Sequence, residues 1–133
     1  MTDASDTSRM LPRHSFVLVV HGTGDDVQPL CAHLKSRAAV RETTNPFDAV
    51  EALTSRRRAA IVCYLGTRVH AEDFYKMVAR TTDETARIVF VAGPYAAAGD
   101  AAYLKSIGHE AIDHSATPEE IAAVVDSVVT RNQ

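Results

Sequence analysis

Residues Phe16 to Asp26 read FVLVVHGTGDD, five apolar residues, three of them valine, that stop at His21-Gly22-Thr23-Gly24. An apolar run of that length with no polar alternation is the pattern of a parallel strand buried on both faces, and the glycine-punctuated turn marks its carboxyl end. In open α/β sheets that end is where ligands bind and chemistry is done. Two further stretches repeat the pattern: Ala59 to Leu65 (AAIVCYL) closes on Gly66, and Ile88 to Ala92 (IVFVA) closes on Gly93-Pro94. Weaker strands are predicted over Ala38 to Thr43, with Val40 as its apolar residue, and over Glu110 to His114.

Helical patterns fill the intervals. After the first turn, Asp25 or Asp26 is placed to cap a helix with Val27, Leu30, Cys31 and Leu34 at i, i+3, i+4 and i+7. Asn45-Pro46 reads as a cap and a first helical proline, with Phe47, Val50 and Leu53 facing inward. Ala71 to Arg80 places Phe74, Met77 and Val78 on one side, and Ala96 to Ile107 has Ala101, Leu104 and Ile107 as its inner stripe, with Gly108 set for a left-handed cap. Thr117-Pro118-Glu119-Glu120 starts a last helix carrying Ile121, Val124, Val125, Val128 and Val129. The order βαβαβαβαβα with short connections implies an α/β fold: a single doubly wound parallel sheet of five strands with five helices on its two faces.

The chain has 133 residues, enough for one domain and too few for two. Residues 1–14 are polar and are expected to form a disordered tail ahead of a domain over 15–130. A formal net charge of −3 offers no footprint for nucleic acid or an anionic membrane. The exception, Arg56-Arg57-Arg58, reads as positive charge at a helix end. Cys31 and Cys63 sit among apolar residues without metal-ligand spacing, as reduced buried thiols do, and no apolar run spans a bilayer. A cytoplasmic protein is expected.

The run Ala102-Tyr103-Leu104-Lys105-Ser106-Ile107-Gly108-His109-Glu110-Ala111-Ile112-Asp113-His114-Ser115 followed by Pro118-Glu119-Glu120-Ile121, together with Gly93-Pro94 after the fourth strand, resembles the receiver domain of bacterial response regulators. The resemblance covers roughly residues 15 to 130 and implies a flavodoxin-like, receiver-like sheet of strand order 2-1-3-4-5. It also implies an aspartate nucleophile ending the third strand, an acidic pair for Mg²⁺ after the first, and a hydroxyl and a lysine for the phosphoryl oxygens. Those positions fall on His21 and Gly22 for the acids, Tyr64 for the nucleophile, Ala92 for the hydroxyl and Ser115, or His114, for the lysine; Ile112 takes the aromatic switch position and Ala116 that of a proline. No acidic residue lies between Glu51 and Glu72, so no shift of register restores the acceptor.

The resemblance is therefore to a degenerate receiver, or pseudo-receiver: a non-enzymatic signalling module without metal or cofactor that acts by binding. Its expected partner is a signalling protein or a second copy, docked on the face of the fourth helix, fifth strand and fifth helix, where Tyr95, Tyr103, Lys105 and Ile112 are expected. Tyr64 is expected to fill the vacated acid pocket with its ring. The alternative is a small chelatase-type protein with His21 and His70 as ligands, or an anion-binding module using the Gly22-Gly24 loop. An α/β-hydrolase reading of His21 to Asp26 fails because the chain has no G-x-S-x-G. His33 reads as a solvated or packed histidine, and His109 and His114, flanking the fifth strand, as surface residues.

Overall fold

Strands with no polar face cannot stand at the surface, and this one demand arranges the molecule. The computed structural model describes residues 16–22, 25–55, 59–67 and 69–131, the side chains of 130 and 131 excepted. β1 (Phe16–Val20) and β3 (Ala59–Leu65) are buried at every residue, and β4 (Ile88–Ala92) at all but its last. They form the middle of a five-stranded parallel sheet, flanked by β2 (Ala39–Thr43) and the three-residue β5 (Ala111–Asp113), in the order β2-β1-β3-β4-β5. The edges carry the more polar sequences, AVRET and AID, as strands with one unpaired side do.

Alternate residues of each strand feed opposite layers. Val17, Val19, Val62, Tyr64, Val89 and Val91 pack under α1 (Gln28–Leu34) and α5 (Pro118–Arg131). Leu18, Val20, Ile61, Cys63, Leu65 and Phe90 pack under α2 (Phe47–Ser55), α3 (Ala71–Ala79) and α4 (Ala98–Ser106). Arg37, just past α1, donates to Asp126 of α5 at 2.9 Å and ties the first layer together. The fold class and strand order are as expected from the sequence.

Several local expectations are corrected. In α2 the buried stripe is Ala49, Ala52 and Leu53, while Phe47 is 66% exposed: the alanines are small enough to lie against β1 and β3, and this rotates the helix away from its larger residues. In α4 Ala101 is exposed, and Asp100 joins Leu104 on the buried side. In α5 Ala122 is buried and Val124 is 38% exposed, so the stripe runs Ile121, Ala122, Val125, Val128, Val129. Neither Asp25 nor Asp26 caps α1; Val27 precedes it with no side-chain cap. A short 3₁₀ turn over Glu84–Arg87, absent from the sequence reading, leads into β4. The amino-terminal tail, Arg56 to Arg58 and Gly24 lie outside the described residues.

Helix ends are closed as their sequences demand. Thr117 and Glu120 form a reciprocal capping box at α5: the Glu120 amide donates to Thr117 Oγ1 at 3.1 Å and the Thr117 amide to Glu120 Oε1 at 2.8 Å. At the end of α4, Gly108 has φ of +82°, and the His109 and Gly108 amides donate to the carbonyls of Leu104 and Lys105 in a Schellman motif. A Cβ at Gly108 meets no atom within 4 Å, so Gly108→Ala tests backbone strain alone; it is expected to cost about 1 kcal/mol, read as a lower denaturant midpoint at unchanged slope.

Candidate functional site

The carboxyl ends of β1, β3 and β4 open into a cavity of about 340 Å³ between the starts of α1 and α5. Its polar lining is Asp25, Asp26, Tyr64 and His114; Leu30, Ile121 and Ala116 supply apolar wall. Tyr64 is there because side chains alternate along β3: Val62 and Tyr64 point to the α1 and α5 layer, and the ring at the strand's end reaches the rim, 7% exposed. Burial first, then the neighbouring Cys31, Asp25 and Asp26, push its phenol up to about 12.

Asp25 is the residue that the sequence reading assigned to a helix cap and the structure turns the other way. Its Oδ2 accepts the Gly22 amide at 2.8 Å, while its own amide donates to the Gly22 carbonyl at 3.3 Å. This closes the loop on itself and sets the carboxylate at the middle of the sheet edge. Its Oδ1 lies 3.3 Å from where a Cβ on Gly93 would stand, and that Cβ would come within 2.7 Å of the Leu65 carbonyl. Gly93 is thus a close-approach glycine whose missing side chain lets Asp25 sit over β4. With the Gly22 amide taken by an internal carboxylate, that donor is not free for an external anion.

His21 leaves the pocket. Its Nε2 meets Glu42 Oε1 at 3.1 Å and its Nδ1 the Gly22 carbonyl at 3.1 Å, drawing the ring toward β2. Glu42 Oε2 also accepts from Gln28 at 2.8 Å, and this hydrogen bond, aided by His21, holds the carboxyl below the usual range. His70 lies in the other layer, before α3, with Nδ1 at 3.6 Å from Asp100 Oδ2. The two histidines therefore have separate partners, and among the described residues no three His, Cys, Asp or Glu side chains gather to hold a metal. The chelatase arrangement is not formed. A receiver-type Mg²⁺ site does not fit either, since among the described residues only Asp25 and Asp26 line the cavity as carboxylates and one of them is tied to Gly22.

Ser115 also turns away. Its amide and hydroxyl both donate to Asp113 Oδ2, holding that carboxyl low, and the residue is exposed. His114 takes its place at the cavity: its amide and its Nδ1 both reach the Ala92 carbonyl, at 3.0 and 3.1 Å. Ala92 thus contributes a backbone acceptor where a side-chain hydroxyl was expected. Of the five residues expected to share the pocket, only Tyr64 lines it with its side chain.

The four residues expected on one face are distributed over three environments. Tyr95 is 75% exposed in the loop after β4, and Lys105 is exposed on α4. Tyr103 packs edge-on to Tyr75 of α3 at 6.3 Å, and Ile112 packs beneath α5. His109, expected at the surface, is half-buried with its ring edge-on to Phe90 and Tyr75, both at 5.7 Å, and burial lowers its pKa.

Asp100 was missed by the sequence reading. It is 6% exposed, and its Oδ1 accepts the Ala71 amide at 3.0 Å, so a carboxylate from α4 caps the start of α3 across the layer. The available signal was an acid in the first turn of an otherwise featureless alanine-rich helix. Burial, followed by the charges of Asp100 and Asp25, pushes the thiol of Cys63 up; both cysteines are free and buried.

No protein-family model matches the chain, and no curated protein matches it. Among solved structures it is similar to a response regulator receiver domain protein from Clostridium thermocellum, with a TM-score of 0.63 and 11% identity over 89% of this chain and 95% of that one. The shared element order and strand order make this the flavodoxin-like fold of a receiver domain. No helix among the described residues is long and apolar enough to cross a membrane.

The phenol of Tyr64 provides a pH test. Its pKa rises from 10.0 in the unfolded chain to about 12 in the fold, so above pH 10 the folded state binds more protons than the unfolded one and loses stability. The expected difference between the wild type and Tyr64→Phe is flat below pH 10 and falls by about 2–3 kcal/mol toward pH 12, measured by urea unfolding at each pH.

Proposed function

We propose that this chain is a phosphorylation-independent signalling module that works by protein–protein contact, in the manner of a pseudo-receiver. The observation that carries the reading is Tyr64: an aromatic ring, 7% exposed, occupies the end of β3 where the resemblance puts a phosphoryl acceptor. Phosphoryl transfer to an aspartate needs a carboxylate there and a metal to offset developing charge. β3 carries no carboxylate, and three of the polar residues at this rim are engaged with neighbours: Asp25 with the Gly22 amide, His114 with the Ala92 carbonyl, Ser115 with Asp113. A module of this kind signals through its surface. Tyr95 and Lys105 are the exposed members of the proposed docking face around α4, β5 and α5, available to a signalling protein or to a second copy.

The test is incubation with acetyl phosphate and Mg²⁺, followed by intact mass and sedimentation. The expected outcome is an unchanged mass and an unchanged sedimentation profile. A stoichiometric, base-labile adduct of one phosphoryl group overturns the reading.

A further inference from the structure

We propose that the cavity at the carboxyl ends of β1 and β3 is a binding site for an alkylammonium or alkylguanidinium group. The proposal concerns the pocket already described and rests on the reading that no phosphoryl group is transferred there.

The charge of the lining selects the ligand's sign. Asp25 and Asp26 face the cavity, and among the described residues neither lysine nor arginine lines it. The His114 Nδ1 sits on the Ala92 carbonyl, which can only accept, so that nitrogen carries a hydrogen and is not free for an anion. Several of the donors an anion would use are missing or taken. The Gly22 amide holds Asp25. Pro29 in the first turn of α1 and Pro118 at the start of α5 have no N–H, and the capping box of Thr117 and Glu120 consumes two further amides.

Tyr64 is the independent indication of a ligand. It is more than nine-tenths buried, it lines the cavity, and its hydroxyl has no hydrogen-bond partner among the described residues. The hydroxyl is not among the buried polar atoms without a partner, so it opens on the cavity. Here the ring offers a π face to a cation and the hydroxyl offers an acceptor to an N–H. Leu30 and Ile121 provide apolar wall for an alkyl stem. The volume, about 340 Å³, is at the small end of ligand pockets, which run from roughly 300 to 1,000 Å³, and suits one amine-bearing chain. That chain can belong to a free amine or to a lysine or arginine of a partner.

The experiment is an NMR titration of the full chain with n-butylammonium, agmatine and a short peptide bearing a single internal arginine. Phosphate and Mg²⁺ serve as the contrasting ions. Saturable shifts of the Tyr64 ring resonance are expected with the organic cations, weakened by added salt, and none with phosphate. Asp26→Asn changes an exposed residue and leaves the core intact; it is expected to weaken binding about fivefold or more, because a charge-assisted hydrogen bond is lost, and Tyr64→Phe to weaken it as well. Tighter binding of the peptide than of agmatine assigns the site to a partner's side chain, and the reverse order assigns it to a free amine. Absence of any saturable response to the organic cations overturns the proposal, as does equal affinity in the Asp25→Asn, Asp26→Asn double variant, or displacement of the organic cations by stoichiometric Mg²⁺. Phosphorylation is read by mass and cation binding by resonance shift, so either reading can fail without the other.

Discussion

β1 and β3 lie side by side at the centre of the sheet, and among their twelve residues the tyrosine at position 64 is the only one with a polar side chain other than the thiol of Cys63. Burying two such strands on both faces is the constraint from which the rest of the structure follows. Each strand must be hydrogen-bonded on both sides, which places β2 and β4 outside them, and each must be roofed above and below, which requires helices in both layers. Parallel pairing needs a crossover between successive strands, and right-handed crossovers distribute five helices over the two faces. The polar strands, β2 and β5, end up at the edges because only there can AVRET and AID meet water.

That arrangement brings five loops to one rim, and the chemistry of the rim is mutual satisfaction. Asp25 returns to the Gly22 amide, His21 goes to Glu42, His114 folds onto the Ala92 carbonyl, and Ser115 caps Asp113. The pairings of His21 and Ser115 remove from the cavity two groups that the linear sequence offered there. What faces the cavity, among the described residues, is a phenol, two carboxylates and an imidazole among apolar walls. The end of β3 itself carries a phenol and no carboxylate. Asp100 performs the same service in the opposite layer, supplying α3 with a cap that its own sequence lacks.

The sequence was most legible where one physical term dominates. Continuous apolar runs at Phe16–Val20, Ala59–Leu65 and Ile88–Ala92 admit a single reading as buried strands, and their observed bounds match. Local hydrogen-bond chemistry at Gly108 and at Thr117-Pro118-Glu119-Glu120 was equally readable because it involves only neighbours in the chain. Helix faces were harder. Phe47 and Val124 have the hydrophobicity of core residues, yet Ala49 and Ala122 take the buried positions, because closeness of approach to the sheet decides which face turns inward. The pocket was hardest of all. Asp25 as a cap and Asp25 as a wall of the cavity differ by the rotation of one loop, and that rotation depends on the space left by Gly93, a residue remote in sequence.

By itself, then, the sequence determined the number and order of the elements, the parallel sheet and the absence of a carboxylate on β3, all of them consequences of residue type and short-range spacing. The tertiary structure alone decided which side chains meet at the rim: that His21 and Ser115 turn away, that Asp25, Tyr64 and His114 share a cavity, and that Asp100 is buried at another helix's start. Those pairings join residues on different strands and helices, and their energies exist only once the sheet has set the register between them.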